Sequence, residues 1–385
     1  MKVVVIGNSI AAHTFVTNLL KLADSVEIEI YGEEARLPYY RTRILSLLDS
    51  QADPDSLTIR PVISDSRVRQ YNLHVDNIDP DAKLIYASDG KAHEYDVLVL
   101  ANGARASRLP LPGGRSDGIF ALRTVDDVHQ LSLWLDRHSG PVAVIGGGLL
   151  GLEAASEISR YISREVTVLE SADYLLPRQL DSESARYLQK RLSSMNIKVL
   201  CSAKTSNFLS SKGEVSAIKC DDGFTIPAQT VIESVGISPN TFLAVDAGLN
   251  VGRGVIVDEF MRTSSPDIYA IGDVAQIDGQ VRGTAAVAMD SAKTLASVLS
   301  GQQKAYKAAS QSSMLKAAGL DVISIGNPFL KGTECTVIED ETRREAWFTA
   351  GGSLTAAVLI GSRANFSVAM SGLGRPFEEI RAKLK

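Results

Sequence analysis

The chain of 385 residues is 45% hydrophobic and 22% charged, and its formal net charge is −5 at pH 7. This length predicts two or three domains, and the composition is that of a globular protein without an apolar run of about 18 residues that could span a bilayer. The acidic balance gives no electrostatic support for nucleic-acid binding, which needs clustered excess Lys and Arg. We therefore expect no membrane-embedded protein and no nucleic-acid partner.

The first twenty residues, MKVVVIGNSIAAHTFVTNLL, combine one Lys with an apolar stretch, as a signal peptide does. The Gly-Asn-Ser interruption and the missing small-residue cleavage site argue against that interpretation. The three cysteines are widely spaced and the five histidines form no i, i+4 pair, so neither a redox dithiol nor a metal site is indicated. We expect a cytoplasmic protein without a bound metal.

A strand, a helix and a second strand are predicted at the start of the chain. Residues 2–6 and 26–31 are short β-branched runs, and an amphipathic stretch lies between them. The turn GNSIAA has Gly7 at the first position of the dinucleotide-binding G-x-G-x-x-G pattern, but Ser9 at the second and Ala12 at the third. Taken alone the signal is weak, because Ser9 adds a side chain where a pyrophosphate must come close.

An acidic residue is expected after the second strand, where it can accept hydrogen bonds from an adenosine ribose. Glu33 is the first candidate and Glu34 the second. The bland alternative for Glu33 is a solvated loop carboxylate.

Two later strands also end in Gly-containing turns, at residues 95–103 and 267–273. The second of these ends in Asp273, a carboxylate that could hold the polyol chain of a cofactor. Two such strand ends, far apart in sequence, indicate one domain that is split by an insertion. The Pro- and Gly-rich segment 108–114 predicts a boundary near Leu109, and the chain is expected to cross back in the turn of residues 230–240.

The insertion repeats the β-α-β pattern over residues 142–170. All three glycine positions of the dinucleotide pattern are filled here, by Gly146, Gly148 and Gly151. Glu170 ends the second strand, where a carboxylate accepts from ribose hydroxyls and repels a 2′-phosphate. Because no Arg follows until Arg178, NADH is favoured over NADPH.

The end of the chain is predicted to contain a helix over residues 284–300, bounded by Gly283 and Gly301, and a polar linker over residues 302–313. The remaining 70 or so residues contain three strand-like runs, which suggest a small α+β domain.

Taken together, these motifs resemble the FAD-dependent pyridine nucleotide-disulfide oxidoreductase superfamily, in particular its NADH:rubredoxin reductase and nitrite reductase-related branch. The resemblance covers essentially the whole chain. The segments that carry it are the N-terminal turn, LPYYRTR (37–43), VLVLANGA (97–104), GGGLLGLEAA (146–155), LLPRQLD (175–181), VGISPN (235–240), VDEFMRTSSPDIYAIGD (257–273) and AAVLIG near the C-terminus.

The resemblance implies an α/β fold with two Rossmann-like domains and a small α+β C-terminal domain. The FAD-binding domain would comprise residues 1–108 and 236–301, the NAD-binding domain residues 109–235, and the C-terminal domain residues 314–385.

The resemblance also implies a set of cofactor-binding residues. Those that would hold FAD are Gly7, Ser9, Ile10, Ala11, Ala12, Glu33, Arg41, Val75, Ala101, Asn102, Gly103, Gly272 and Asp273. Those that would hold NADH are Gly146, Gly148, Gly151, Glu170 and Gly236. Glu153 matches a family glutamate close to the flavin, and Arg43 is its candidate partner, although an ordinary interdomain ion pair is an equally good interpretation.

The chain departs from the family pattern near the flavin. Besides Ser9, Asn102 replaces the Thr of an A-T-G turn, Asp290-Ser291 replaces a Gln-Gly pair, and Ser46 stands where relatives often have a Lys. These changes put FAD affinity in question, so a degenerate subunit with a regulatory or assembly role stays open beside an enzyme.

The position of the first cysteine separates the branches of the family. Disulfide reductases and the related NADH oxidases need a cysteine near the flavin, early in the chain, whereas the first one here is Cys201. The resemblance therefore implies an NADH-dependent flavoprotein that passes electrons singly to a small carrier protein, rubredoxin first and then ferredoxin, or to a nitrite or nitrate reductase component.

Overall fold

A computed structural model of the chain describes residues 1–48, 52–59, 64–302, 304–307, 312–317 and 319–384. Part of the linker expected over residues 302–313 lies outside the described residues. Among those that are described, no helix combines the length and the apolar character needed to cross a membrane.

Strands and helices alternate over residues 2–31 and 119–200, which is the order typical of an α/β protein. The strands are β1 (Lys2–Ile6), β2 (Glu27–Tyr31), β3 (Val68–Tyr71), β4 (Val75–Asp79), β5 (Leu84–Ala87), β6 (Ala92–Glu94), β7 (Val97–Leu100), β8 (Ala104–Ala106), β9 (Ile119–Phe120), β10 (Val142–Ile145), β11 (Val166–Leu169), β12 (Ile197–Leu200), β13 (Thr205–Ser211), β14 (Glu214–Cys220), β15 (Thr225–Pro227), β16 (Thr230–Glu233), β17 (Ile237–Pro239), β18 (Val255–Val257), β19 (Ile268–Ala270), β20 (Ala275–Ile277), β21 (Ser312–Ala317), β22 (Leu320–Gly326), β23 (Glu334–Glu339), β24 (Arg344–Ala350) and β25 (Ser353–Ile360). The helices are α1 (Ile10–Leu22), α2 (Val125–Arg137), α3 (Leu149–Ile162), α4 (Ser182–Ser193), α5 (Phe242–Asp246), α6 (Ala285–Leu299), α7 (Phe366–Gly372) and α8 (Phe377–Arg381).

The chain divides into two compact units. Unit 1 comprises residues 1–44, 51–106 and 237–308, and unit 2 comprises residues 45–50, 107–236 and 309–385. The finer division of unit 2 into an NAD-binding and a C-terminal domain stays a prediction.

Unit 1 is built on a parallel sheet with the strand order β19-β7-β1-β2-β3. Helix α1 packs against α6, and its buried residues belong to the same hydrophobic core as those of the sheet. Its fully buried residues Ala12, Phe15, Val16 and Leu19 recur at the spacing of one helical face, which explains why this sequence forms an amphipathic helix. The antiparallel strands β4, β5 and β6 form a separate three-stranded sheet in the same unit.

Unit 2 contains a second parallel sheet with the order β12-β11-β10-β16-β9. Read from the opposite end, this order matches that of unit 1, with β10, β11, β12, β16 and β9 in the places of β1, β2, β3, β7 and β19. The internal repeat predicted from the two β-α-β segments therefore extends to five strands. Strands of this kind are buried on both faces, and β1, β7 and β10 are accordingly almost entirely apolar.

The last part of unit 2 is an antiparallel sheet with the order β21-β22-β25-β24-β23. Trp347 is fully buried beside Phe377 of α8. This sheet also contains a buried carboxylate, that of Glu345, which accepts hydrogen bonds from the side-chain amide of Asn365 at 2.9 and 3.0 Å. A buried carboxylate without hydrogen bonds would be costly. The bonds from Asn365 satisfy it and at the same time hold the loop before α7 on the sheet.

Candidate functional site

The first Gly-rich turn follows β1 and lies against the end of β7. Gly7 has a φ of +112°, and its N–H donates to the carbonyl oxygen of Tyr31 at 2.7 Å. A Cβ built on Gly7 would lie 2.2 Å from the carbonyl oxygen of Ala101. Only glycine fits here, and the structure thus brings the first turn and the 101–103 turn together.

The turn leads directly into α1, of which Ser9 is the N-cap residue. The Ser9 side chain makes no capping hydrogen bond, so its hydroxyl does not occupy the amide groups of the first helical turn. Ala11 and Ala12 are buried behind this helix start, whereas Ile10 is half-buried. An uncapped helix N-terminus after a Gly turn is a favourable site for a pyrophosphate.

Gly272 and Asp273 lie beside the same helix start. A Cβ built on Gly272 would be 2.9 Å from that of Ala11, and the Gly272 N–H donates to Ser291 Oγ at 3.2 Å. Ser291 is fully buried in α6, where it replaces the glycine expected from the family. The substitution is therefore accommodated, because its hydroxyl holds the turn that precedes Asp273.

The acidic residues after β2 have separate partners. Glu33 Oε2 lies 3.0 Å from His74 Nδ1, next to the buried Val75, and its side chain is 67% exposed. Glu34 forms an ion pair with Arg41 and accepts a hydrogen bond from Tyr39. Glu33 is thus the carboxylate on the Val75 side, whereas Glu34 is engaged by Arg41.

Asn102 forms a reciprocal pair with Asn240. Its Nδ2 donates to the Asn240 carbonyl oxygen at 2.9 Å, and Asn240 Nδ2 donates to the Asn102 carbonyl oxygen at 2.8 Å. Asn102 Oδ1 is buried and has no hydrogen-bond partner within the described part of the chain. The Asn102 side chain therefore holds the turn through its Nδ2 and leaves its Oδ1 as a hydrogen-bond acceptor.

The second Gly-rich turn repeats the geometry of the first. Gly146 also has a φ of +112°, its N–H donates to the Leu169 carbonyl oxygen at 2.8 Å, and an added Cβ would lie 2.3 Å from the Ser234 carbonyl oxygen. Gly148 is the N-cap residue of α3 and faces open space, while a Cβ on Gly151 would lie 1.9 Å from the Gly146 carbonyl oxygen. Sterics thus require glycine at Gly146 and Gly151, whereas Gly148 leaves the space in front of the helix start open.

Glu170 lies at the carboxyl end of β11, directly over this second turn. Its carboxylate accepts hydrogen bonds from the N–H groups of Gly147 at 2.7 Å and Ala172 at 2.8 Å. Oε1 also accepts from Ser171 Oγ at 3.2 Å. These bonds fix the side chain before any ligand arrives, and Oε2 keeps a second lone pair for a ribose hydroxyl. Gly236, with a φ of +102°, follows β16 at the same edge of the sheet.

Glu153 is half-buried in α3. Burial and then the neighbouring Glu157 raise the pKa of its carboxyl from 4.5 to about 7. Arg43 lies in a 3₁₀ helix, Arg41–Leu48, and belongs to unit 1, so the pair of Glu153 with Arg43 stays a prediction.

Sequence reasoning missed Glu233, the last residue of β16. Its side chain is almost fully buried, it accepts a hydrogen bond from the Leu109 N–H at 2.9 Å, and Arg108 lies 3.7 Å away. Burial raises its pKa. The available signal in the sequence was the glutamate that follows the apolar residues Val231 and Ile232. In the structure this carboxylate fixes residues 108–109, at the predicted domain boundary.

The cysteines lie outside unit 1, which contains the first Gly-rich turn and the 101–103 turn. Cys201, Cys220 and Cys335 all belong to unit 2 and are free thiols. Within the described ranges, no cluster of three or more His, Cys, Asp or Glu side chains could hold a metal ion.

The two sheets with their Gly-rich turns define a class of protein that binds two dinucleotides. Residues 1–293 match the family model described as pyridine nucleotide-disulphide oxidoreductase. The chain belongs to this family, which confirms the resemblance and the fold class.

Individual relatives support the same assignment. The chain is 33% identical to the assimilatory nitrate reductase electron transfer subunit of Bacillus subtilis (strain 168), over 84% of this chain and 42% of that protein. It is also 33% identical to rhodocoxin reductase of Rhodococcus erythropolis, over 80% of this chain and 74% of the relative. The chain spans less than half the length of the nitrate and nitrite reductase relatives that it matches.

Among solved structures, a ferredoxin reductase from Rhodopseudomonas palustris superposes with a TM-score of 0.90 at 26% identity, covering 100% of this chain and 98% of that one. The similarity includes the C-terminal region as well as both parallel sheets.

Glu170 provides the first test of the site. Replacing Glu170 by Ala removes the carboxylate that is predicted to accept from the ribose, and we expect the KM for NADH to rise roughly tenfold, as for the loss of one charge-assisted hydrogen bond. The KM for NADPH should rise less, because the carboxylate repels a 2′-phosphate. Steady-state kinetics with an artificial acceptor give both values.

Glu165→Ala is the matched control for Glu170, because Glu165 is exposed at the opposite end of the same strand. Equal increases in KM for the two nucleotides would contradict the role assigned to Glu170.

Glu153 generates a second prediction, on pH dependence. Because the folded protein holds the proton of Glu153 more tightly than the unfolded chain does, ionised Glu153 destabilises the fold, and this penalty grows as the pH rises from about 4.5 to about 7. We expect Glu153→Gln to match the wild-type melting temperature at pH 4 and to exceed it at pH 8. The same difference at both pH values would show that burial of this carboxyl does not set its pKa.

Proposed function

We propose that this chain is an NADH-dependent flavoprotein reductase that passes electrons one at a time to a small carrier protein of the rubredoxin or ferredoxin type. Unit 1 would hold FAD and unit 2 would hold NADH. The observation that carries the proposal is the pair of Gly-rich turns with the same backbone geometry, each opening a helix whose N-terminus has no side-chain cap.

The residues of unit 1 fit FAD. Gly7 leaves no room for a side chain beside Ala101, and two buried polar atoms near this turn, Asn8 Nδ2 and Asn102 Oδ1, have no partner among the described residues. Such atoms are expected to be paired in the functional state, because an unpaired buried polar group costs about 1–3 kcal/mol. Ser9 does not remove the anion site, since its hydroxyl leaves the helix start uncapped.

The role of the protein is to bind and orient. Bound FAD would supply the redox chemistry, taking a hydride from NADH and releasing electrons singly. Glu170 would hold the adenosine ribose of NADH, Gly146 to Gly151 its pyrophosphate, and Asp273 the polyol chain of FAD. No side chain has to act as a nucleophile.

A one-electron acceptor is favoured over a disulfide because the first 200 residues contain no cysteine. Rhodocoxin reductase, and a rubredoxin-NAD(+) reductase from Pseudomonas putida that is 32% identical, have names that point to such carriers. We infer the same class of acceptor for this chain. A cytoplasmic location is part of the proposal.

A second candidate function is electron input to a larger nitrate or nitrite reductase assembly. It is favoured by the similarity to the electron transfer subunit of B. subtilis. A related alternative is a degenerate subunit that binds the nucleotides with little turnover and has a regulatory or assembly role.

The proposal is tested by the colour and turnover of the purified protein. We expect a yellow protein whose flavin bleaches anaerobically with NADH and reoxidises on addition of rubredoxin or ferredoxin. A protein that takes up no FAD would refute the proposal. Rapid flavin reduction with transfer to an artificial acceptor, but to neither carrier protein, would favour the reductase-assembly alternative.

A further inference from the structure

The two Gly-rich turns can be compared residue by residue, because both have the same pairing. Ile6 pairs with Tyr31 in unit 1, and Ile145 pairs with Leu169 in unit 2. The next residue, Gly7 or Gly146, donates to the carbonyl oxygen of that partner. Asn8 is therefore equivalent to Gly147.

The same register makes Gly32 equivalent to Glu170. The Gly32 N–H donates to the Tyr71 carbonyl oxygen at 3.0 Å, at the end of β3. The Glu170 N–H donates to the Leu200 carbonyl oxygen at 2.8 Å, at the end of β12. Glu33 is thus one residue beyond the position that Glu170 occupies in the other sheet.

The polar residue and the glycine occupy opposite positions in the two turns: unit 1 has Asn8 and Gly32 where unit 2 has Gly147 and Glu170. In unit 2, the Glu170 side chain lies over Gly147, where an added Cβ would be 3.1 Å from Glu170 Oε2. In unit 1, the Asn8 side chain lies over Gly32, where an added Cβ would be 2.8 Å from Asn8 Cβ. Asn8 thus brings an amide to the region in which unit 2 presents a carboxylate.

The side-chain amide of Asn8 also has a hydrogen-bond donor that is not satisfied within the described part of the chain. Its Nδ2 is buried and has no partner among the described residues, whereas both oxygens of Glu170 are bonded to backbone N–H groups. A buried donor beside an uncapped helix N-terminus needs an oxygen acceptor, and the pyrophosphate and ribose of a dinucleotide supply such oxygens.

We propose that Asn8 is an FAD-binding residue whose side-chain amide donates a hydrogen bond to a phosphate oxygen at the ADP end of the cofactor. This inference rests on the proposed function, and it deepens that proposal by assigning opposite polarities to the two turns. The FAD turn presents a donor, which attracts a phosphate, whereas the NADH turn presents an acceptor, which binds ribose hydroxyls.

The test measures FAD binding to the full-length apoprotein by quenching of flavin fluorescence, together with the melting temperature of the apoprotein. Asn8→Ala should weaken FAD binding roughly 10- to 100-fold, the range for a hydrogen bond to a charged group. Asn8→Asp, which has the same shape but repels a phosphate, should weaken it further. The apoprotein melting temperature should not fall in Asn8→Ala, because the bond is unmade without FAD.

Asn18→Ala is the matched control. Asn18 lies on α1, and its Nδ2 is already bonded to the Thr14 carbonyl oxygen at 2.7 Å. We expect this variant to bind FAD with wild-type affinity.

The outcomes separate the inference from the proposed function. A wild-type protein that binds no FAD would overturn both. Wild-type binding with equally tight binding by Asn8→Ala would overturn the role of Asn8 alone. Tighter binding by Asn8→Asp than by Asn8→Ala would show that the side chain faces a hydroxyl donor and would also overturn it.

Discussion

The structure depends on one steric constraint, which is the close approach of two backbones at a glycine. At Gly7 and again at Gly146, the end of a neighbouring strand lies so near that an added Cβ would be 2.2 or 2.3 Å from a carbonyl oxygen. This approach brings the strand end and the helix start together at the carboxyl edge of a parallel sheet, where dinucleotides bind in such folds. The placement of Asp273 and of Glu170 follows from the same arrangement, because Glu170 directly follows β11 and Asp273 lies in the turn after β19.

The sequence was sufficient to predict the elements that this constraint defines. The periodicity of residues 2–6, 142–145 and 284–300 agrees with β1, β10 and α6. The family and the fold class followed from motifs that are local in sequence. By contrast, α2 and α4 were not predicted, although the buried residues of each recur at helical spacing and therefore gave a usable signal.

The details of the first turn could not be predicted, because they depend on contacts between distant residues. The pairing of Glu33 with His74 joins residues 41 positions apart, and that of Asn102 with Asn240 joins residues 138 positions apart. The correspondence of Asn8 to Gly147, and of Gly32 to Glu170, can be recognised only when the strand register is known. Sequence position alone therefore indicated Glu33 as the counterpart of Glu170, although the register assigns that place to Gly32.

The central claim is that the two turns bind different nucleotides, and equilibrium binding of FAD and NADH to two variants tests it most directly. Ser9→Asp and Gly148→Asp each add a carboxylate at the N-cap of one helix, where it stabilises the helix but repels a pyrophosphate. Ser9 and Gly148 both have extended backbones that suit an N-cap Asp. Ser9→Asp should lose FAD binding and retain NADH binding, and Gly148→Asp should do the reverse. Loss of the same nucleotide in both variants, or of neither, would contradict the account.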